Sequence, residues 1–549
     1  MNKFFRNGLY LLAAGALAVS CADYNETNNF TAEPDPTFVE PYKDLNPVKS
    51  YTDRSQYPNM SLGATLKVKE FNDQTLTHAA AVTNFDDLYF GNALMSGAII
   101  NNKGVMNFID MKALLDHLDE IGGKAYGSAL AANSGQADGW LKLLTSPIEI
   151  MVEYHDLKTV DYNKETSIDK SQIEKGTASI VKKGNENALQ IGSNSNVRII
   201  DGFEAEPNAK YTTTFWVKAQ KASTFNVVFS GTTVEGPATQ GRFFFDVSDE
   251  WRKITVEAQP AEGETAGFLR IETLRGASLL VKKVQVGFEP DNHRDQTPQE
   301  ISDTIHWAMA TWCDGFMKNN AGRIKSFDLI EEALSAKTLD DSNIFDLKHS
   351  EDKIFWQDIF GSEQYAPVVS NAAVTAFKKY GGNADDLKFF ICETGLDNNQ
   401  KFESLMYWIN TWTQNGAKID GINARVSLSY SEDAATQAAN EASLDNLLSN
   451  LASSGKLIRL SNFDISYKDA EGNNVVAKDI TDAQRQKLAD YNAKVINKYM
   501  TVIDKNNQAG ICKANICDTT DPVGLWAVVN KDWVRTATYK AFCDALSGK

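Results

Sequence analysis

Two adjacent carboxylates, Glu331 and Glu332, follow the apolar pair Leu329-Ile330 in the string IKSFDLIEEAL. A carboxylate can move a proton or attack as a nucleophile. Side by side on a strand, two such residues point to opposite sides, so Glu331 is not a simple substitute for Glu332. The other reactive side chains are dispersed. The six cysteines and six histidines include no paired CxxC motifs and no HExxH, so no metal site is expected. No GxSxG, P-loop or GxGxxG string is present, and no cofactor is expected. Cys313, Cys392, Cys512, Cys517 and Cys543 read as small buried hydrophobes rather than a disulfide framework.

The chain has 549 residues, enough for three or four ordinary domains or one large barrel with an insertion. Hydrophobic residues make up 42% and charged residues 23%, a composition that excludes disorder and long coiled coils. The formal charge of -17 argues against a broad positive surface for nucleic acid. The one long apolar run, Leu9 to Val19, follows Lys3 and Arg6 and is too short for a comfortable span. Residues 1–20 resemble a lipoprotein signal peptide, with Ala18-Val19-Ser20-Cys21 as its cleavage box. That resemblance implies lipidation of Cys21 and attachment to an outer membrane, facing the cell exterior. Residues 21–50 are polar and proline-rich and read as a flexible tether.

The elements that must position Glu331 and Glu332 fall into three stretches. Residues 51–154 alternate short apolar runs with helical ones; NFIDMKALLDHLDEIG has apolar spacing near 3.6 and stops at Gly122-Gly123. Residues 155–292 hold many short strands separated by turn residues, the pattern of an antiparallel β-sandwich. Within it, Phe215, Trp216 and Phe243–Phe245 read mostly as core. Residues 293–549 return to helix and strand in alternation, opening on a capping box at Thr297 and Glu300 with Pro298 between them. Neither α/β stretch is complete alone. The prediction is an α/β (β/α)8 barrel interrupted by an inserted antiparallel β-sandwich.

Seven strings resemble, in order, those of the family-10 glycoside hydrolases, the endo-xylanase barrels. They are GNALMSGAIINNKGVMNF (91–108), YGSALAANS (126–134), IKSFDLIEEAL (324–334), IFWQDIFG (354–361), DLKFFICETGL (386–396), IDGINARVSLS (419–429) and LIRLSNFDIS (457–466). The resemblance covers nearly all of 55–155 and 295–545. The insert resembles a family-4-like carbohydrate-binding module. By this resemblance Glu332 holds the acid/base position and Asn462 stands at the nucleophile position. A neutral amide cannot form the glycosyl ester. The supporting polar groups are largely replaced: Gly91, Ser96, Ser128, Ala132, Asn133, Arg425, Ser427 and Ala514 stand at their positions, and Asn92 alone is kept. Asp464, two residues past Asn462, reads as structural, with a displaced nucleophile as the alternative.

These readings imply a non-catalytic cell-surface lipoprotein that binds a polysaccharide or oligosaccharide in a capture and uptake system. Trp140, Glu332 and Trp526 are the candidate glycan-binding residues. Two alternatives stand beside it. One is a structural or assembly subunit of an outer-membrane glycan importer. The other is an active endo-acting, xylanase-like hydrolase with displaced catalytic residues. Membrane contact through the N-terminal lipid and importer proteins are the other expected partners; nucleic acid is not.

Overall fold

In the computed structural model the described residues are 40–548, apart from 205, 207–208, 230–231, 234–241, 261–265 and 530–531. The signal peptide, Cys21 and most of the expected tether lie outside them. The chain divides into two compact units, one of residues 142–304 and one of the remainder.

The larger unit is built on a parallel sheet. From one end, its strands are Ala125–Tyr126, Asp87–Tyr89, Ser61–Thr65, Gln508–Lys513, Leu457–Phe463, Gly421–Arg425, Lys388–Thr394, Ser326–Glu331 and Ala131–Ala132. The first and last are two pieces of one interrupted strand. Gly127 bridges Phe327 in parallel, and Leu130 N–H donates to the Asp328 carbonyl at 3.0 Å, so the sheet curls round and meets itself. After each of the eight strands the chain returns through a helix, as a parallel ring requires. The third return is interrupted: the helix that completes it, Pro298–Asn320, begins only after the strands of the smaller unit have ended. Its start is fixed as the sequence predicts, with Glu300 accepting from the Thr297 N–H at 2.8 Å and donating its own N–H to Thr297 Oγ1 at 3.3 Å. Among the described residues no helix is long and apolar enough to cross a membrane.

The smaller unit is a two-sheet antiparallel sandwich. Five strands form one sheet, in the order Arg242–Val247, Ser223–Phe229, Ala266–Thr273, Asn196–Glu204, Ile173–Lys175. The other sheet centres on Lys210–Ala219, flanked by Arg252–Pro260 and Leu279–Glu289. Strand alternation turns Tyr211, Thr213, Phe215, Val217 and Ala219 inward, against Phe225, Val227, Leu269 and Ile271 of the facing sheet. The unit is wider than the expected 155–292, because Ile148–Glu149 pairs with His293–Arg294 where the chain enters and leaves. Strands of two residues carry no periodicity from which to be read.

Two expectations are corrected here. Residues 40–50 are not free tether: Arg535 Nη1 donates to the carbonyls of Tyr42, Lys43 and Leu45, and Val48 is fully buried. Trp216 and Phe244 are not core but 42% and 61% exposed. The five described cysteines are free, four of them buried.

Candidate functional site

A cavity of about 410 Å³ opens in the larger unit among the ends of the parallel strands. Tyr89, Tyr126, Asp328, Arg425, Arg459 and Asn462 are among its lining residues. Parallel strands end there in register, so inward-facing side chains from successive strands meet in one place.

The floor is a charged network. Arg459 is buried and donates to both Asp87 oxygens, at 2.7 and 3.2 Å, while its guanidinium stacks 4.1 Å from the centre of the Tyr126 ring. The strand beside them carries Gly63, where any Cβ would stand 2.4 Å from Arg459 Nη2 and 2.7 Å from Asp87 Oδ1. Glycine is what leaves room for this pair. Asp328 accepts from the Tyr126 hydroxyl at 2.7 Å and from Asn423 Nδ2 at 3.0 and 3.1 Å. Burial pushes its carboxyl up to about 7, outweighing these two hydrogen bonds, and the Glu331 charge adds to the rise.

Arg425 is the centre of the rim. Its Nη2 stands 2.5 Å from Glu331 Oε1 and its Nη1 2.8 Å from Glu332 Oε1. One planar guanidinium therefore holds both carboxylates. This corrects the expectation that adjacent Glu331 and Glu332 face opposite ways. The strand ends at Glu331, and Glu332 has a left-handed backbone, φ +48°, which takes it out of the alternation. Asn462 is likewise left-handed, at φ +54°, and its Nδ2 donates to the Val426 carbonyl at 3.0 Å. Asp464 has a structural place: buried Lys513 donates to it, as does Asn515 Nδ2 at 2.7 Å.

The other candidate positions are dispersed. Ser128 donates to the Gly91 carbonyl, Ser96 Oγ accepts from Ala137 N–H at 3.2 Å, and Asn133 Oδ1 accepts from Gln357 Nε2 at 3.1 Å. Ala514 lines the cavity. Trp140 and Trp526 are corrected as glycan platforms. Trp140 is 4% exposed and packs edge-on against Trp307; Trp526 is 5% exposed and packs against Tyr539. A sugar needs an open ring face, and these faces are occupied by the protein. Tyr89, Asp328, Asn423 and Arg459 are cavity residues that sequence reasoning missed. The signal for two of them was a charge set between apolar neighbours on a strand, Asp328 in FDLI and Arg459 in LIRL.

The arrangement restricts the available chemistry. Glu332 is engaged by a guanidinium that would have to be displaced before the carboxylate could serve as a proton donor. The amide of Asn462 is neither acid nor nucleophile. Among the described residues no group of three or more His, Cys, Asp or Glu is placed to hold a metal ion.

Residues 289–538 match the family model described as Glycosyl hydrolase family 10. Among solved structures, the endo-1,4-beta-xylanase XylE of Penicillium canescens is 12% identical, with a TM-score of 0.50 over 92% of this chain and 98% of that one. Xylanase 10C of Cellvibrio japonicus is 12% identical, with a TM-score of 0.49 over 90% of this chain and 72% of that one. No curated protein sequence matches. The match over residues 289–538 and the first likeness agree with the curled parallel sheet: the larger unit is an α/β barrel, similar to those of glycosyl hydrolase family 10.

Proposed function

We propose that the protein is a non-catalytic, glycan-binding lipoprotein. In this reading the barrel cleft holds a polysaccharide segment without cleaving it. Cys21 carries the lipid that anchors the chain to the outer membrane, facing the cell exterior, and the bound glycan is passed to an importer beside it. The observation that carries the reading is Arg425, whose guanidinium engages both Glu331 and Glu332. Asn462, the second position a hydrolase would need, offers only an amide already bonded to Val426. A retaining hydrolase needs two free carboxylates flanking the bond, one to protonate and one to attack. A cavity of about 410 Å³ with tyrosine rings, amides and charged groups suits a few sugar rings held by stacking and hydroxyl hydrogen bonds.

The test pairs retention with turnover. The full chain lacking its lipid is run through gels containing xylans, glucans or mannans, and the same glycans are assayed for new reducing ends. The name of the Penicillium canescens enzyme makes xylan the first to try. The expected result is retention by one class with no turnover, and Tyr89→Ala weakening retention by about tenfold through loss of a ring face. Turnover that disappears in Glu332→Ala would establish an active hydrolase instead. Retention by no glycan would replace the reading with that of an assembly subunit.

A further inference from the structure

The outward face of the sandwich's larger sheet is unlike the rest of this acidic chain. On its three adjacent strands Arg252–Pro260, Lys210–Ala219 and Leu279–Glu289 this face carries five basic side chains, Lys210, Lys218, Lys253, Lys282 and Lys283, against two glutamates. The whole chain has a formal charge of -17. In the middle of that face stands Trp216, 42% exposed on the central strand. Its neighbours in register are cationic. Lys253 pairs with it directly on one side. On the other side the ladder is irregular: Phe215 pairs with Val284 and Val217 with Val281, which leaves Lys282 and Lys283 together opposite Trp216. Lys282 is already committed, to Glu186 and to the face of Trp251 at 4.3 Å. Lys218, Lys253 and Lys283 have no carboxylate partner among the described residues.

We propose that this face is a second binding site, for a polysaccharide that carries carboxylates on its sugar rings, a polyuronate. The apolar face of a pyranose stacks on the Trp216 indole, and the ring carboxylates meet Lys253 on one side and Lys283 on the other. Charge complementarity selects the occupant. A neutral glycan would use the indole and leave the lysines idle. The lysines attract a charged chain, but within reach of only about 8 Å at physiological salt, so close ring contact is also needed. The site lies wholly in the smaller unit and stands whether or not the cleft binds a glycan.

The experiment uses the full chain lacking its lipid in affinity gels of polygalacturonate, alginate and hyaluronan, with neutral xylan, duplex DNA and phosphatidylserine vesicles as comparisons. Retention by at least one polyuronate is expected, weakening as salt is raised. Trp216→Ala is expected to lose about tenfold in affinity, the loss of one stacked ring. Lys253→Gln with Lys283→Gln is expected to lose several-fold and to flatten the salt dependence. All three positions are at the surface, so unchanged melting temperatures verify that the variants fold. Retention by none of the three polyuronates overturns the proposal, as does retention that Trp216→Ala leaves intact. Tighter binding to DNA or to vesicles than to any polyuronate also overturns it. Failure of the cleft reading looks different: polyuronate is retained and neutral xylan is not.

Discussion

The barrel and the sandwich place their charges in opposite ways. Inside the barrel lie Arg459 with Asp87, Lys513 with Asp464, and Asp328 beneath the tyrosines. The sandwich core holds apolar side chains and a few hydroxyls, among them Thr213, Thr273 and Ser195, and among the described residues its ionised groups stay outside. The difference shows what each architecture is suited to. A ring of parallel strands aims side chains from eight directions at one point, so its interior can assemble a site at the expense of stability. A sandwich closes its interior with interdigitated side chains, so its chemistry must sit on an outer face.

That contrast can be broken at its strongest point first. Arg459→Ala leaves Asp87 buried without its partner and should cost about 3–5 kcal/mol, the penalty of an uncompensated internal charge. Chemical denaturation of the barrel would read it; a loss below about 1 kcal/mol would mean that water reaches the pair freely. The sandwich counterpart is Phe225→Ala, which removes a fully buried ring and should cost roughly 3 kcal/mol by cavity formation. Its loss should fall on the smaller unit's own transition in calorimetry. A shift of the barrel transition by the same amount would mean that the two units melt as one.

The smallest effect is a pH dependence. Burial pushes the Asp328 carboxyl up to about 7 in the folded chain, well above its unfolded value. A carboxyl raised in this way contributes stability that is complete below about 4 and lost as pH rises through about 7. Denaturation midpoints should therefore be higher at pH 5 than at pH 8, and Asp328→Asn should flatten that difference. An equal slope in the variant would assign the dependence to other groups.

Much of this organisation was legible in the sequence. Apolar spacing near 3.6 marked the helices, the dense short strands marked the sandwich, and the ordered strings from residue 91 to 466 marked the barrel. The centre of the site was less so. The reading of Glu331 and Glu332 assumed that strand alternation continued through both, and the left-handed backbone at Glu332 ends it one residue earlier. Nothing in the residue types announces that turn. Arg425 was noted only as a replaced position, because a guanidinium bridging two carboxylates is a three-dimensional relation between distant strands. Trp140 and Trp526 failed for a related reason: a tryptophan's type is the same whether its face is open or covered. Trp216 did carry a signal. It shares parity with Thr212, Thr214 and Lys218, opposite to Tyr211, Phe215 and Val217, and its aromatic character outweighed that parity.

The left-handed backbone at position 462 makes the path between a cleaving and a merely binding cleft uneven in its two directions. Asparagine is among the few side chains at ease there, because its short amide can bond to nearby backbone, as it does to Val426. A glutamate in the same conformation bears a steric cost of about 1–2 kcal/mol and forfeits that bond. If an ancestor held a carboxylate at this turn, its loss was a relaxation. Reinstating it by a single substitution would be uphill before any gain in rate, and it would still meet Arg425 holding the other acid. The turn at position 462 therefore favours the amide over a carboxylate before any question of rate arises.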